Sequence, residues 1–76
     1  MVLPRRELVL LELLVRRAGR VVQRSHLDAE LYGFDAEVSA NALETLVSRL
    51  RRRLQDAGAE VEIRTIRGVG YLLRAC

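Results

Sequence analysis

Leu43, Val47, Leu50 and Leu54 recur at spacings of four, three and four within SANALETLVSRLRRRLQDA, residues 39–57. At about 100° per residue these positions form one narrow apolar stripe on a helix, and such a stripe is core. Opposite it lie Asn41, Thr45, Ser48, Arg49 and Arg52, with Arg51 and Arg53 on the two flanks. The helix therefore presents a polar, cationic outer face, and the rest of the chain reads as its support.

The major groove of duplex DNA admits a face of this kind. An arginine fork matches the two acceptors of guanine, an amide matches adenine, and small hydroxyls reach phosphates. A run of three arginines on a helix is more often a solvated face than a binding surface, so the rest of the chain has to decide.

Composition narrows the alternatives. With 76 residues the chain is one domain at most (1–76), and 50% hydrophobic content suffices for a small core and argues against disorder. The longest uninterrupted apolar run is Leu8 to Leu11, too short for a membrane span, and charged Arg5 and Arg6 follow the N-terminus where a signal peptide would be apolar. A cytoplasmic location is expected. The single cysteine, Cys76, and single histidine, His26, exclude a disulfide scaffold and leave no metal or catalytic constellation. The carboxylates are scattered among arginines. Neither an enzyme nor a cofactor is expected.

Charge is segregated along the chain. Residues 1–24 carry six Arg and two Glu, residues 25–44 carry five acids and no basic residue but His26, and residues 45–76 carry seven Arg and three acids. This pattern suggests two partners, or one polyanion met by part of the surface. All 13 basic residues are Arg, which suits phosphate forks and base edges, although codon bias explains the same fact.

Pro4 suits the first turn of a helix that runs to about Ala18, with Gly19 as its left-handed cap. From Leu8 to Val15 only Glu12 is polar, so this helix wants cover on most of its surface, and a segment N-terminal to Met1 is expected to supply it. Residues 20–23 read as one short strand. Ser25 with Asp28 resembles a capping box that opens a second helix, with Leu27 and Leu31 facing inward and Gly33 ending it. The turn Gly33 to Val38 carries Phe34 and Val38 among acids. These two either anchor the loop to the core or meet another protein. Ser39 and Asn41 are both candidate N-caps of the third helix, and Asn41 has Glu44 three residues on.

After Gly58 the period becomes alternating. Val61, Ile63, Thr65 or Ile66, then Val69, Tyr71 and Leu73 fit two strands joined by RGVG, in which Gly68 and Gly70 permit a positive φ. A nucleotide loop is a poor reading of Gly-X-Gly here, because no third glycine and no helix follow. The hairpin puts Arg67 at its tip, placed to enter a minor groove or meet phosphate.

The order LPRRELVLLELL, GRVVQRSHL, VSANALETLVSRLRRRL and IRTIRGVGYLL resembles the effector domain of the OmpR/PhoB class of bacterial response regulators, over nearly the whole chain. SRLRRRL and TIRGVGY are the most specific parts. The resemblance implies an α+β winged helix-turn-helix of three helices, with a short strand after the first helix pairing with a C-terminal hairpin wing. It implies that the third helix enters the major groove of double-stranded DNA and that the wing contacts the adjacent minor groove. On that basis Arg49 is the chief base reader and Arg51 holds phosphate or base. Asn41, Thr45 and Ser48 lie along the groove, joined by Arg52 and Arg53 of the same helix. Thr65 binds backbone phosphate, Arg67 is the wing arginine, and Tyr32 stands near the backbone. The resemblance also implies tandem occupancy of direct repeats, RNA polymerase contact through residues 33–38, and a receiver domain in the parent protein. The family's N-terminal four-stranded sheet is absent from this sequence, and Leu46 stands where relatives commonly carry His, beside the groove face. A protein-interaction module remains the rival, supported by the acidic segment and the apolar loop residues. Single-strand binding is weaker, because Tyr32, Phe34 and Tyr71 make no evident stacking platform.

Overall fold

The structure, a computed structural model, describes residues 2–33 and 41–76. The readings of Ser39 as an N-cap and of Phe34 and Val38 as loop anchors lie outside those residues.

Helix α1 spans Arg5–Arg16, with Pro4 as its N-cap, and is shorter than the sequence suggested. Near its end the Leu14 and Val15 carbonyls accept bonds from Arg17 and Ala18 N–H at 3.2 and 3.1 Å, and Gly19, at φ 82°, turns the chain so that its N–H donates to Leu73 O at 2.7 Å. The end of α1 is thus fastened to the sheet. Glu7, Leu10 and Leu14 are buried, while Leu8 and Val15 on the far side are exposed.

Strand β1 is only Val22–Gln23, and α2, Arg24–Tyr32, follows with no intervening loop. The Ser25 capping box does not form. The N-cap is Gln23, two residues earlier, and the Arg24 N–H donates to Val69 O at 3.0 Å, so the hairpin satisfies one of the unpaired donors of the first turn. Gly33, at φ 74°, ends α2.

Helix α3 spans Ala42–Asp56, with Asn41 at its N-cap but no side-chain cap bond. The second box is also absent, because the Glu44 carboxylate turns to the Arg24 guanidinium instead. The C-terminus closes as a Schellman motif, in which Gly58 N–H donates to Gln55 O and Ala59 N–H to Leu54 O.

Strands β2, Val61–Ile66, and β3, Gly70–Ala75, form the hairpin, and the antiparallel sheet has the order β1-β3-β2. Val22 pairs with Tyr71 and Gln23 with Gly70, which makes β3 the central strand. Val69 lies in the turn and is exposed, not in a strand as its alternation suggested.

The stripe Leu43, Val47, Leu50 and Leu54 is buried against Leu10 and Leu14 of α1, Leu27 and Leu31 of α2, and Val22, Ile63, Tyr71 and Leu73 of the sheet. Leu46 is also core, 7% exposed, so the placement of this position beside the groove face is corrected. It lies three residues after Leu43 and widens the stripe; leucine suits a buried site that would leave an imidazole in need of partners. This architecture is a winged helix-turn-helix. No helix among the described residues is long and apolar enough to cross a membrane.

Candidate nucleic-acid interface

Because the stripe fixes the rotation of α3, Asn41, Thr45, Ser48, Arg49 and Arg52 all come to the exposed side. Spacings of four, three and four keep Asn41, Thr45, Ser48 and Arg52 in one row, with Arg49 beside it. Arg49 and Arg52 make no hydrogen bond or ion pair among the described residues, so their donors face water.

Arg51 and Arg53 are held differently. The Arg51 Nε and Nη2 donate to Ile63 O at 3.0 and 2.8 Å, and Nη2 also donates to Thr65 Oγ1 at 2.8 Å. Three of its five N–H groups are thereby used on β2, and the two on Nη1 remain. Arg53 Nε donates to Glu7 Oε1 at 2.6 Å, reaching across to α1. Glu7 is only 2% exposed, whereas the Arg53 side chain is 44% exposed. Arg53 therefore neutralises a buried carboxylate from the rim. Glu7 was not singled out by sequence reasoning, yet its spacing of three and seven from Leu10 and Leu14 puts it on the buried face of α1.

The wing is built by two glycines for different reasons. Gly68 takes φ 77° in the turn that Val69 N–H closes on Ile66 O at 2.9 Å, and this turn holds Arg67 exposed at the tip. Gly70 does not take a positive φ, contrary to expectation. Its need is space, since a Cβ there would lie 2.0 Å from Val22 O. The β1–β3 contact that seats the wing on the helices thus depends on a missing side chain.

Between wing and helices is a cleft of about 150 Å³ lined by Arg24, Thr65, Ile66, Gly68, Val69, Gly70 and Tyr71. Arg24, also unremarked in the sequence, spans the start of α2, the wing base and the start of α3 through Glu44, with Asp28 at 3.9 Å. Its hydrogen bond holds the Glu44 carboxyl below the ordinary carboxylate value. Burial, and next the Glu44 charge, push the Tyr71 phenol up. Tyr32, half-buried, donates its hydroxyl to Ala42 O at 3.4 Å and carries the Arg6 guanidinium 4.7 Å from its ring centre. Among the described residues no cluster of His, Cys, Asp and Glu could hold a metal ion.

The fold and this surface define a winged helix with a cationic third helix flanked by an arginine-tipped hairpin. The family model described as "Transcriptional regulatory protein, C terminal" matches residues 1–73, and the chain belongs to that family. It is 52% identical over 73 residues to the probable transcriptional regulatory protein y4xI of Sinorhizobium fredii, covering 96% of this chain and 32% of that protein. It is 47% identical over 72 residues to response regulator MprA of Mycobacterium leprae, covering 95% of this chain and 32% of that one. The chain thus spans about a third of the length of these curated relatives. The crystal structure of the DNA-binding domain of Bacillus subtilis CssR superposes with a TM-score of 0.81 at 29% identity, over 95% of this chain and 77% of that one. That of the response regulator AdeR DNA-binding domain in complex with an intercistronic region gives 0.82 at 23% identity, over 97% and 74%, a likeness of fold. These findings agree with the response-regulator effector class read from the motifs.

Proposed function

We propose that this chain is the sequence-specific, double-stranded DNA-binding module of a transcription regulator, with α3 in the major groove and the wing at the adjacent minor groove. The observation that carries the proposal is the row Asn41, Thr45, Ser48 and Arg52 with Arg49 beside it, exposed and rigidly backed by the core stripe. Arg49 is the chief base reader, because a guanidinium that is exposed and unpaired among the described residues, on a groove-facing helix, can fork onto guanine, while Asn41, Thr45, Ser48 and Arg52 complete the groove contacts. Arg67 enters the minor groove, and Tyr32 and Thr65 stand along the backbone. Arg51 offers its Nη1 edge to phosphate while bracing β2. Arg53 contributes through the fold, by pairing with Glu7.

One module makes few base contacts, so tandem occupancy of direct repeats supplies the remaining specificity. A receiver domain in the parent protein, RNA polymerase contact through residues 33–38, and a cytoplasmic setting belong to the same proposal. The test is selection of bound duplexes from a random DNA pool at moderate salt. A short motif, repeated head to tail about one helical turn apart, is the expected result. A pool without enrichment overturns the reading.

A further inference from the structure

The N-terminal turn of α1 holds a cation that the groove contacts do not use. Arg6 is exposed and makes no ion pair or hydrogen bond among the described residues; its guanidinium lies 4.7 Å from the Tyr32 ring centre. An aromatic ring takes the face of a guanidinium and leaves its in-plane N–H donors open. Tyr32 in turn donates to Ala42 O in the first turn of α3. The three residues therefore form a relay, 26 and 10 positions apart in sequence, that sets a guanidinium edge, unpaired among the described residues, near the first turn of α3 where the groove face begins. Arg5 lines the same shallow groove between α1 and α2, and so does Glu30, which pairs with neither arginine among the described residues.

We propose that Arg6 is an additional backbone-phosphate contact for duplex DNA, pre-oriented by Tyr32, which extends the footprint beyond the start of α3. This rests on the DNA-binding reading above. The stacking restricts the arginine before DNA arrives, so less side-chain freedom is lost on binding. A phosphate contact at this edge carries no base information.

The experiment uses the whole chain and the duplex enriched in the selection. Arg6→Gln is expected to weaken binding about fivefold at moderate salt and to lower the slope of log affinity against log salt by about one. Preference among single-base variants of the site stays unchanged, and Arg6→Lys, which keeps the charge, retains most of the slope. Replacing single phosphates by neutral methylphosphonates should expose one sensitive position beyond the α3 contacts, with the penalty present for the unaltered chain and absent for Arg6→Gln. An Arg6→Gln chain with the unaltered slope and the same methylphosphonate profile overturns the proposal, and points to an acidic protein segment as what meets Arg6. If Arg6→Gln loses its helical circular dichroism, the scan on the unaltered chain decides alone: no sensitive phosphate on that flank overturns the proposal. Failure of the unaltered chain to enrich any duplex overturns the DNA reading itself, a separate result.

Discussion

Four arginines fall within five residues of α3, and the structure divides them into two pairs. Arg51 and Arg53 end on acceptors of the protein, the Ile63 carbonyl with the Thr65 hydroxyl and the buried Glu7 carboxylate. Arg49 and Arg52 are exposed and meet no acceptor among the described residues. All four have the same side chain, and the difference lies in rotation about the helix. Positions 51 and 53 border the core stripe from opposite sides and reach β2 and α1, whereas 49 and 52 lie on the exposed side of the helix, away from the other described elements. A basic run is therefore not one functional unit. Two of its charges build the platform and two are left over for a partner.

The largest effect that can break this division is expected at Arg53. Arg53→Ala strands Glu7, 2% exposed, without its partner. The loss of folding stability should be about 2 kcal/mol, a value below that of a fully buried pair because the guanidinium itself is half exposed. In a domain of this size that lowers Tm by roughly 10 °C. Glu7→Leu should cost much less, since Arg53 can then turn to water. Equal losses from both, measured by thermal melts, would place the importance of the site in packing and not in the pair.

Arg51→Ala comes next, at about 1 kcal/mol for its bonds to β2, and it should also loosen the wing against α3. Arg51→Lys should recover only part, because an ammonium lacks the planar fork that bonds the Ile63 carbonyl and Thr65 together. Amide exchange across β2 reads this directly. Unchanged protection of the Ile63–Thr65 region in Arg51→Ala would remove the brace from the account.

Arg52→Ala is the smallest of the three. Stability should move by no more than about 0.5 kcal/mol, while the salt slope of DNA binding falls by up to about one. If Arg52→Ala melted as low as Arg53→Ala, the two pairs would not differ in kind.

The sequence carried most of this fold because its signals were redundant. The stripe on α3, the glycines that end each helix and the alternation after Gly58 each mark an element, and together they leave a winged helix. What escaped depended on tertiary partners. Neither capping box formed, because α2 begins before Ser25, with Arg24 N–H bonded to Val69 O, and the Arg24 side chain drew Glu44 away from the start of α3. Leu46 read as flanking the groove because relatives commonly carry His there, yet it is 7% exposed and belongs to the core. Gly70 was given a torsional reason when its reason is the 2.0 Å approach to Val22 O. For the candidate site, spacing alone placed Asn41, Thr45, Ser48, Arg49 and Arg52 on the outside. The engagement of Arg51 and Arg53 was not legible, since their acceptors lie 12 and 46 residues away in sequence.

The proposed function gives base reading to Arg49, and one measurement tests this most directly. Affinities of the unaltered chain and of Arg49→Ala are compared across all single-base variants of the selected site, at one fixed salt concentration. For the unaltered chain, one or two base pairs should carry a penalty of about 1–3 kcal/mol each. In Arg49→Ala that penalty should collapse at those positions and persist elsewhere. The same penalties at the same positions in both chains would contradict the assignment of Arg49 and, with it, the claim that the arginines left in water are the ones that read DNA.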